Sequence, residues 1–153
     1  MTMTLEMPNT TRDVGALIGR VLMSVIFISG GYGKLIAAGG TQAYFAKIGL
    51  PVPVIAWLVT VIVELVGGLA LLIGFQTRLA ALVLAVWCIA TALVAHTNFA
   101  DPNMRIHFMK NIAMTGGFIF VALYGAGAYA VDRVLERSRL GASRPAAEAR
   151  PKR

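Results

Sequence analysis

The chain is poor in what a soluble protein needs. Charged residues make up 14% of it, against roughly a quarter in an ordinary soluble domain. There are seven acidic residues, two histidines and one cysteine, Cys88. A single cysteine excludes an internal disulfide and a multi-cysteine metal site. No CxxC, GxSxG, Walker loop or HExxH occurs, so no known catalytic signature is present. Gly30, Gly31 and Gly33 do not form a dinucleotide fingerprint, because they lie inside an apolar run rather than after a strand. What is abundant is apolar: 58% of 153 residues, with a mean hydropathy of +0.74. That excess needs a larger apolar environment than one 16.3 kDa core, and lipid supplies it.

The apolar residues fall into four runs, at residues 14–36, 54–75, 79–96 and 111–131. Each is long enough to cross a hydrocarbon core of roughly 30 Å as a helix, and a helix satisfies its own backbone there. The fold class read from this is an all-α membrane protein, a four-transmembrane-helix bundle. Residues 1–13 read as an N-terminal tail without a basic signal-peptide flank, so the first run is expected to stay as an anchor. Residues 133–153 read as a basic, Arg-, Ala- and Pro-rich tail, helical to about Leu140 and disordered beyond. Between the first two runs, Thr41 is a candidate cap. Gly49 and Pro51 are stop signals, and Tyr44, Phe45 and Lys47 suit a short interfacial helix.

The net charge is +7, and seven of the fourteen basic residues lie after the last apolar run. That placement argues against nucleic acid and for a cytoplasmic flank. Four crossings put Arg12, Arg78 and the tail on one side, nine basic residues. Lys34, Lys47, Arg105 and Lys110 lie on the other. Nine against four predicts both termini in the cytoplasm. The short link FQTR makes the second and third helices antiparallel neighbours.

Small and polar residues mark helix contacts in lipid. Arg20, Ser24, Phe27, Gly31 and Lys34 share one face of the first helix, which also carries the pair Gly15 and Gly19. Thr60, Glu64, Gly67 and Gly68 align on the second. Arg78, Ala81, Ala85, Cys88, Ala92 and His96 align on the third, and Asn111, Thr115, Ala122 and Gly125 on the fourth. Glu64 falls near mid-membrane, where a lone carboxylate costs at least about 2.5–3.5 kcal/mol. Counting from the ends of the runs puts Arg20 about 6 Å away along the axis. The expectation is therefore an intramembrane Arg20–Glu64 pair, serving either as a structural clasp or as a functional site.

A second cluster gathers at the opposite membrane edge: Lys34, His96, His107, Lys110 and Asn111, with Asn98, Asp101 and Arg105 nearby. The spacing H-x10-H fits no metal pattern, and a histidine at a helix end is a poor haem ligand. Lysine and asparagine can hydrogen-bond carbonyl oxygens, and a neutral histidine can exchange a proton. The five residues are candidate ligand-binding residues for a quinone ring, against the simpler role of anchoring helix ends to lipid.

Three strings are ordered as in a known family. GRVLMSVIFISGGYGKL carries Arg20 and the Gly-x-x-Lys-Leu ending at Leu35. KIGLPVPVIAWLVTVIVELVGGLALLIGFQTRLAAL carries Gly-Leu-Pro, Glu64, Gly67-Gly68 and the Thr77-Arg78 link. HFMKNIAMTGGFIFVALYGAGAYAVD carries Lys110-Asn111, Gly116-Gly117 and Asp132. Together, over residues 14–132, they resemble the DoxX family. The resemblance implies a small inner-membrane protein associated with a terminal quinol oxidase or with thiol-redox and oxidative-stress systems. Arg20, Lys34, Glu64, Arg78, His96, Lys110 and Asn111 match the family's recurring polar positions. The chain departs from the pattern in lacking a Trp after Asn98-Phe99 and a Ser before Asp132.

Three functions are compatible with these residues. The first is an accessory subunit of a respiratory or thiol-redox system, with quinone as its candidate ligand and redox proteins or a second copy as partners. The second is a small-solute carrier that uses Glu64 as its protonatable group. The third is a non-catalytic membrane scaffold. No cofactor ligand set is evident.

Overall fold

The computed structural model describes residues 9–142, with side chains to Leu140. The sequence expectation for the C-terminal tail lies outside the described residues from 143 onward. The order is α1 (Asn9–Ile36), α2 (Ala38–Lys47), α3 (Pro53–Ile73), α4 (Thr77–Ala95), α5 (Pro102–Tyr124) and α6 (Val131–Ala142). Four of these, α1, α3, α4 and α5, are long and apolar enough to cross a membrane. The short α2 lies between the first two crossings, where the sequence placed a short helix. Its start differs, however: Ala37 precedes it, and Thr41 lies inside the helix with its hydroxyl donated to Ala37 O at 3.0 Å.

The last crossing runs from 102 to 124 rather than from 111 to 131. Asp101 caps it by accepting the Asn103 N–H at 2.8 Å, and Pro102 opens its first turn, a combination that starts helices well. The polar string NMRIHFMKN is therefore helical. At the other end Gly125 (φ +81°) takes a backbone conformation other residues avoid. The chain then makes a short loop before α6, which is a separate helix and not an extension of α5.

α1 packs on α3, α4 packs on α5, and α3 joins the two pairs through α4. The interior is small and tight: Ala81, Leu84, Ala85, Cys88 and Ala92 of α4, Leu71 of α3, Phe27 of α1 and Phe118 of α5. Large side chains such as Leu22, Val66, Val86 and Phe120 point outward. In lipid that inversion costs nothing, because outward apolar groups meet acyl chains and small inward ones let backbones approach. At Gly31 an added Cβ would lie 3.0 Å from Glu64 Cβ, and at Gly68 2.9 Å from Ile28 Cγ1. An added Cβ at Gly15 or Gly19 would meet nothing within 4 Å, so that pair marks no close helix approach among the described residues. α1 and α5 meet through Phe27 and Phe118, ring centroids 5.4 Å apart, and through Met23 over Gly117.

Candidate functional site

The bundle has two ends. The tail end holds the start of α1, the α3–α4 link and α6; the α2 end holds α2 and the α4–α5 connection.

Arg20 and Glu64 do not pair. Gly31 stands beside Glu64, Phe27 and Ile28 beside Gly68, and Arg20 beside Gly74. On α1, Arg20 and Gly31 are about 16 Å apart at 1.5 Å per residue. The sequence estimate failed because α1 starts at Asn9 and slides past α3 by more than a turn relative to the apolar boundaries. Arg20 is fully buried and donates Nη1 to Leu71 O at 3.1 Å and Leu72 O at 3.0 Å, and Nη2 to Tyr129 O. It ties off C-terminal carbonyls of α3: Leu71 O, which otherwise has only the Gly74 N–H at 3.3 Å, and Leu72 O.

Glu64 Oε2 accepts from Lys34 Nζ at 2.7 Å. Lys34, in the last turn of α1, thus reaches inward rather than toward headgroups. Trp57 Nε1 holds the same turn by donating to Lys34 O at 2.8 Å.

The pair lies on the wall of a cavity of about 770 Å³ at the α2 end. All five residues expected at this edge, Lys34, His96, His107, Lys110 and Asn111, line it, as does Glu64. α5 supplies His107, Lys110 and Asn111 from consecutive turns because its start lies at Pro102. His96 and His107 stack, ring centroids 5.1 Å apart and planes 23° apart. Asn111 Nδ2 donates to His107 O at 2.9 Å, and Thr91 Oγ1 lies 3.3 Å from Asn111 Oδ1. Tyr44 of α2 reaches across to Ala95 O at 3.3 Å, so α2 closes over one side. Ile26, Phe27 and Met114 make the apolar part of the wall.

Two wall residues carry buried polar atoms without a hydrogen-bond partner: Trp87 Nε1 and His96 Nδ1. Such atoms are rare in native structures and ask for an explanation. Burial, then the neighbouring His107, Lys110 and Lys34, lower the His96 pKa below its ordinary 6.5. Its imidazole is neutral near pH 7, with one nitrogen to donate and one to accept. Lys110 has no ion pair among the described residues. The cavity is rich in donors, and its single carboxylate, Glu64, is neutralised by Lys34. Trp87, Thr91 and Trp57 escaped the sequence reading, and Tyr44 was read only as an aromatic of the short interfacial helix: tryptophan and threonine in apolar runs are ordinary, and only the helix register turns them inward.

The DoxX family pattern matches residues 15–97, more than half of the chain. The chain belongs to the DoxX family. It is 42% identical over 128 residues to the Escherichia coli (strain K12) "Inner membrane protein YqjF", covering 82% of this chain and 95% of that protein. It is 34% identical to "Inner membrane protein YphA" of the same organism, covering 80% and 91%. It is 32% identical to the Bacillus subtilis (strain 168) "Putative oxidoreductase CatD", covering 67% and 70%. No solved structure matches. With four apolar helices and inner-membrane relatives, this DoxX protein is a multi-pass protein of the bacterial inner membrane.

Proposed function

We propose that this DoxX-family protein binds a quinone in the cavity at its α2 end and serves as the membrane component of an oxidoreductase system. The observation that carries the reading is the pair of unpartnered buried nitrogens, Trp87 Nε1 and His96 Nδ1, on the wall of one cavity. The residues fit the group. Trp87 N–H, Lys110 and Asn111 can donate to ring oxygens, neutral His96 can give or take a proton, and Ile26, Phe27 and Met114 suit an isoprenoid tail. The volume falls within the roughly 300–1,000 Å³ of small-molecule sites. When bound, a quinone supplies two-electron, two-proton chemistry, with a redox protein as the partner that exchanges the electrons. The oxidoreductase name of one relative agrees with this.

The test is purification in native lipid with mass analysis of co-bound quinone. Wild type retains quinone, whereas Trp87→Phe and the double variant His96→Ala, Asn111→Ala lose most of it at unchanged helicity. Wild-type stoichiometry in the double variant refutes the site.

A second reading has its own support: Glu64 and Lys34 sit on the same wall, as a carrier of weakly acidic solutes would require. It predicts that Glu64→Gln abolishes solute uptake into proteoliposomes and leaves quinone retention intact.

The nine-to-four distribution of basic residues supports an orientation with both termini in the cytoplasm. Reporter fusions after residues 40, 77, 103 and 153 test it. Cytoplasmic reporters are expected to be active at 77 and 153 and inactive at 40 and 103.

A further inference from the structure

We propose that a recess at the tail end binds the phosphate of an anionic phospholipid between Arg12 and Arg78. The recess measures about 1100 Å³ and lies between the first turns of α1, the start of α4, the 125–130 loop and the start of α6. Three arginines, Arg12, Arg78 and Arg133, face three carboxylates, Asp13, Asp132 and Glu136, so the formal charge of the recess sums to zero. What is unequal is the hydrogen bonding, because every carboxylate already has donors of its own and two guanidiniums have no acceptor among the described residues. Asp13 Oδ1 accepts the Ala128 N–H at 2.9 Å. Asp132 accepts the Gln76 N–H at 2.7 Å and the Thr77 N–H and hydroxyl at 2.9 and 2.7 Å. Glu136 pairs with Arg133 at 2.7 Å. Arg12 and Arg78 are left exposed, with no hydrogen bond or ion pair among the described residues.

Arg78 lies over Gly125, where an added Cβ would stand 3.5 Å from its Nε, so the glycine loop leaves the guanidinium room on the recess wall. Guanidinium forks match phosphate oxygens with paired, charge-assisted hydrogen bonds. The height selects a lipid phosphate over a protein anion: the recess stands at the ends of α1, α4 and α5, where headgroups lie. Its rim carries Tyr124 and Leu79, 75% and 59% exposed, and continues along α4 through exposed Leu82 and Val86. That strip offers an acyl chain an apolar path along α4 starting beside Arg78.

The experiment titrates the purified full chain in mild detergent with phosphatidylglycerol or phosphatidylcholine of matched acyl chains and counts bound lipid by native mass spectrometry. Wild type is expected to hold one phosphatidylglycerol in clear preference. The double variant Arg12→Gln, Arg78→Gln should bind it about thirtyfold more weakly and melt at the wild-type temperature, since neither side chain carries a hydrogen bond or ion pair among the described residues. Arg12→Gln alone should show part of the loss. The control Arg137→Gln, Arg139→Gln removes the same charge from α6 outside the recess and should keep the preference. Equal loss in the control, or no loss in the recess variant, overturns the proposal. So does inorganic phosphate binding with no preference between the two lipids, which makes a free anion the occupant.

Discussion

The carboxylate of Glu64 is sustained at mid-bundle by Lys34, whose side chain remains one-third exposed while that of Glu64 is only 10% exposed. The two partners are therefore unequal, and so are the costs of removing them. Lys34→Met strands a buried charge and should cost on the order of 3–5 kcal/mol. Glu64→Gln frees a lysine that can swing into the cavity, and should cost about 1–2 kcal/mol. The double variant Lys34→Met, Glu64→Leu should recover most of the larger loss. Thermal melts in detergent, arranged as a double-mutant cycle, check this. Arg20→Leu should be severe by itself, because the carbonyls of Leu71, Leu72 and Tyr129 lose the guanidinium. Its effect should add to that of Glu64→Leu within about 0.5 kcal/mol, because the two residues occupy different levels. Coupling between them would contradict the register described here. Gly74 belongs to the same scale: φ is +73°, and an added Cβ would lie 2.5 Å from Ala130 and 2.6 Å from Arg20 Nη1. Only glycine ends α3 while leaving the arginine its place.

At the scale of elements, the start of α6 closes the tail end. Asp132 N–H donates to Gly74 O at 2.9 Å, and its carboxylate covers the first N–H groups of α4. This is a helix cap supplied from another helix. Gln76, which precedes α4, has no side-chain cap of its own and sits at φ +46°. Burial works to raise the Asp132 pKa, but the hydrogen bonds from Thr77 and Gln76, with nearby Arg20, outweigh it and hold it below 3.8. A carboxylate depressed on folding adds stability above its unfolded value and loses it as pH falls through the folded one. Asp132→Asn should therefore lower stability near neutral pH by about 0.5–2 kcal/mol. It should also flatten the fall in melting temperature of wild type as the pH drops below about 4. An unchanged acid limb in the variant would show that Asp132 does not carry it.

Across the whole molecule, α1 and α5 belong to different helix pairs, and Phe27 and Phe118 join them in mid-bundle. The same contact floors the cavity, since Phe27 is part of its wall. Phe118 is 0% exposed, so Phe118→Ala should cost about 3–5 kcal/mol. It should also let a hydrophobic dye penetrate past the cavity floor. Phe118→Leu should cost less and keep the dye out. A Phe118→Ala variant as stable as wild type would mean that the two helix pairs are held elsewhere.

Chain order and hydropathy alone determined the four crossings, the small-residue faces of α1 and α4, and the gathering of Lys34, His96, His107, Lys110 and Asn111 at one edge. These are local properties: an apolar stretch of membrane length has one stable form in lipid, and residues at equal distance from its ends share a depth. Tertiary structure decided the rest. Whether Glu64 meets Arg20 or Lys34 depends on how far α1 slides past α3, which is set by the close approaches at Gly31, Gly68 and Gly74 and not by where the apolar runs end. The start of α5 at Pro102 was written in Asp101-Pro102, but the polar string that follows hid the helix from hydropathy. Trp87 and Thr91 became cavity residues only when α4 turned that face toward α1 and α5, because a side chain's burial is a property of the partner it meets.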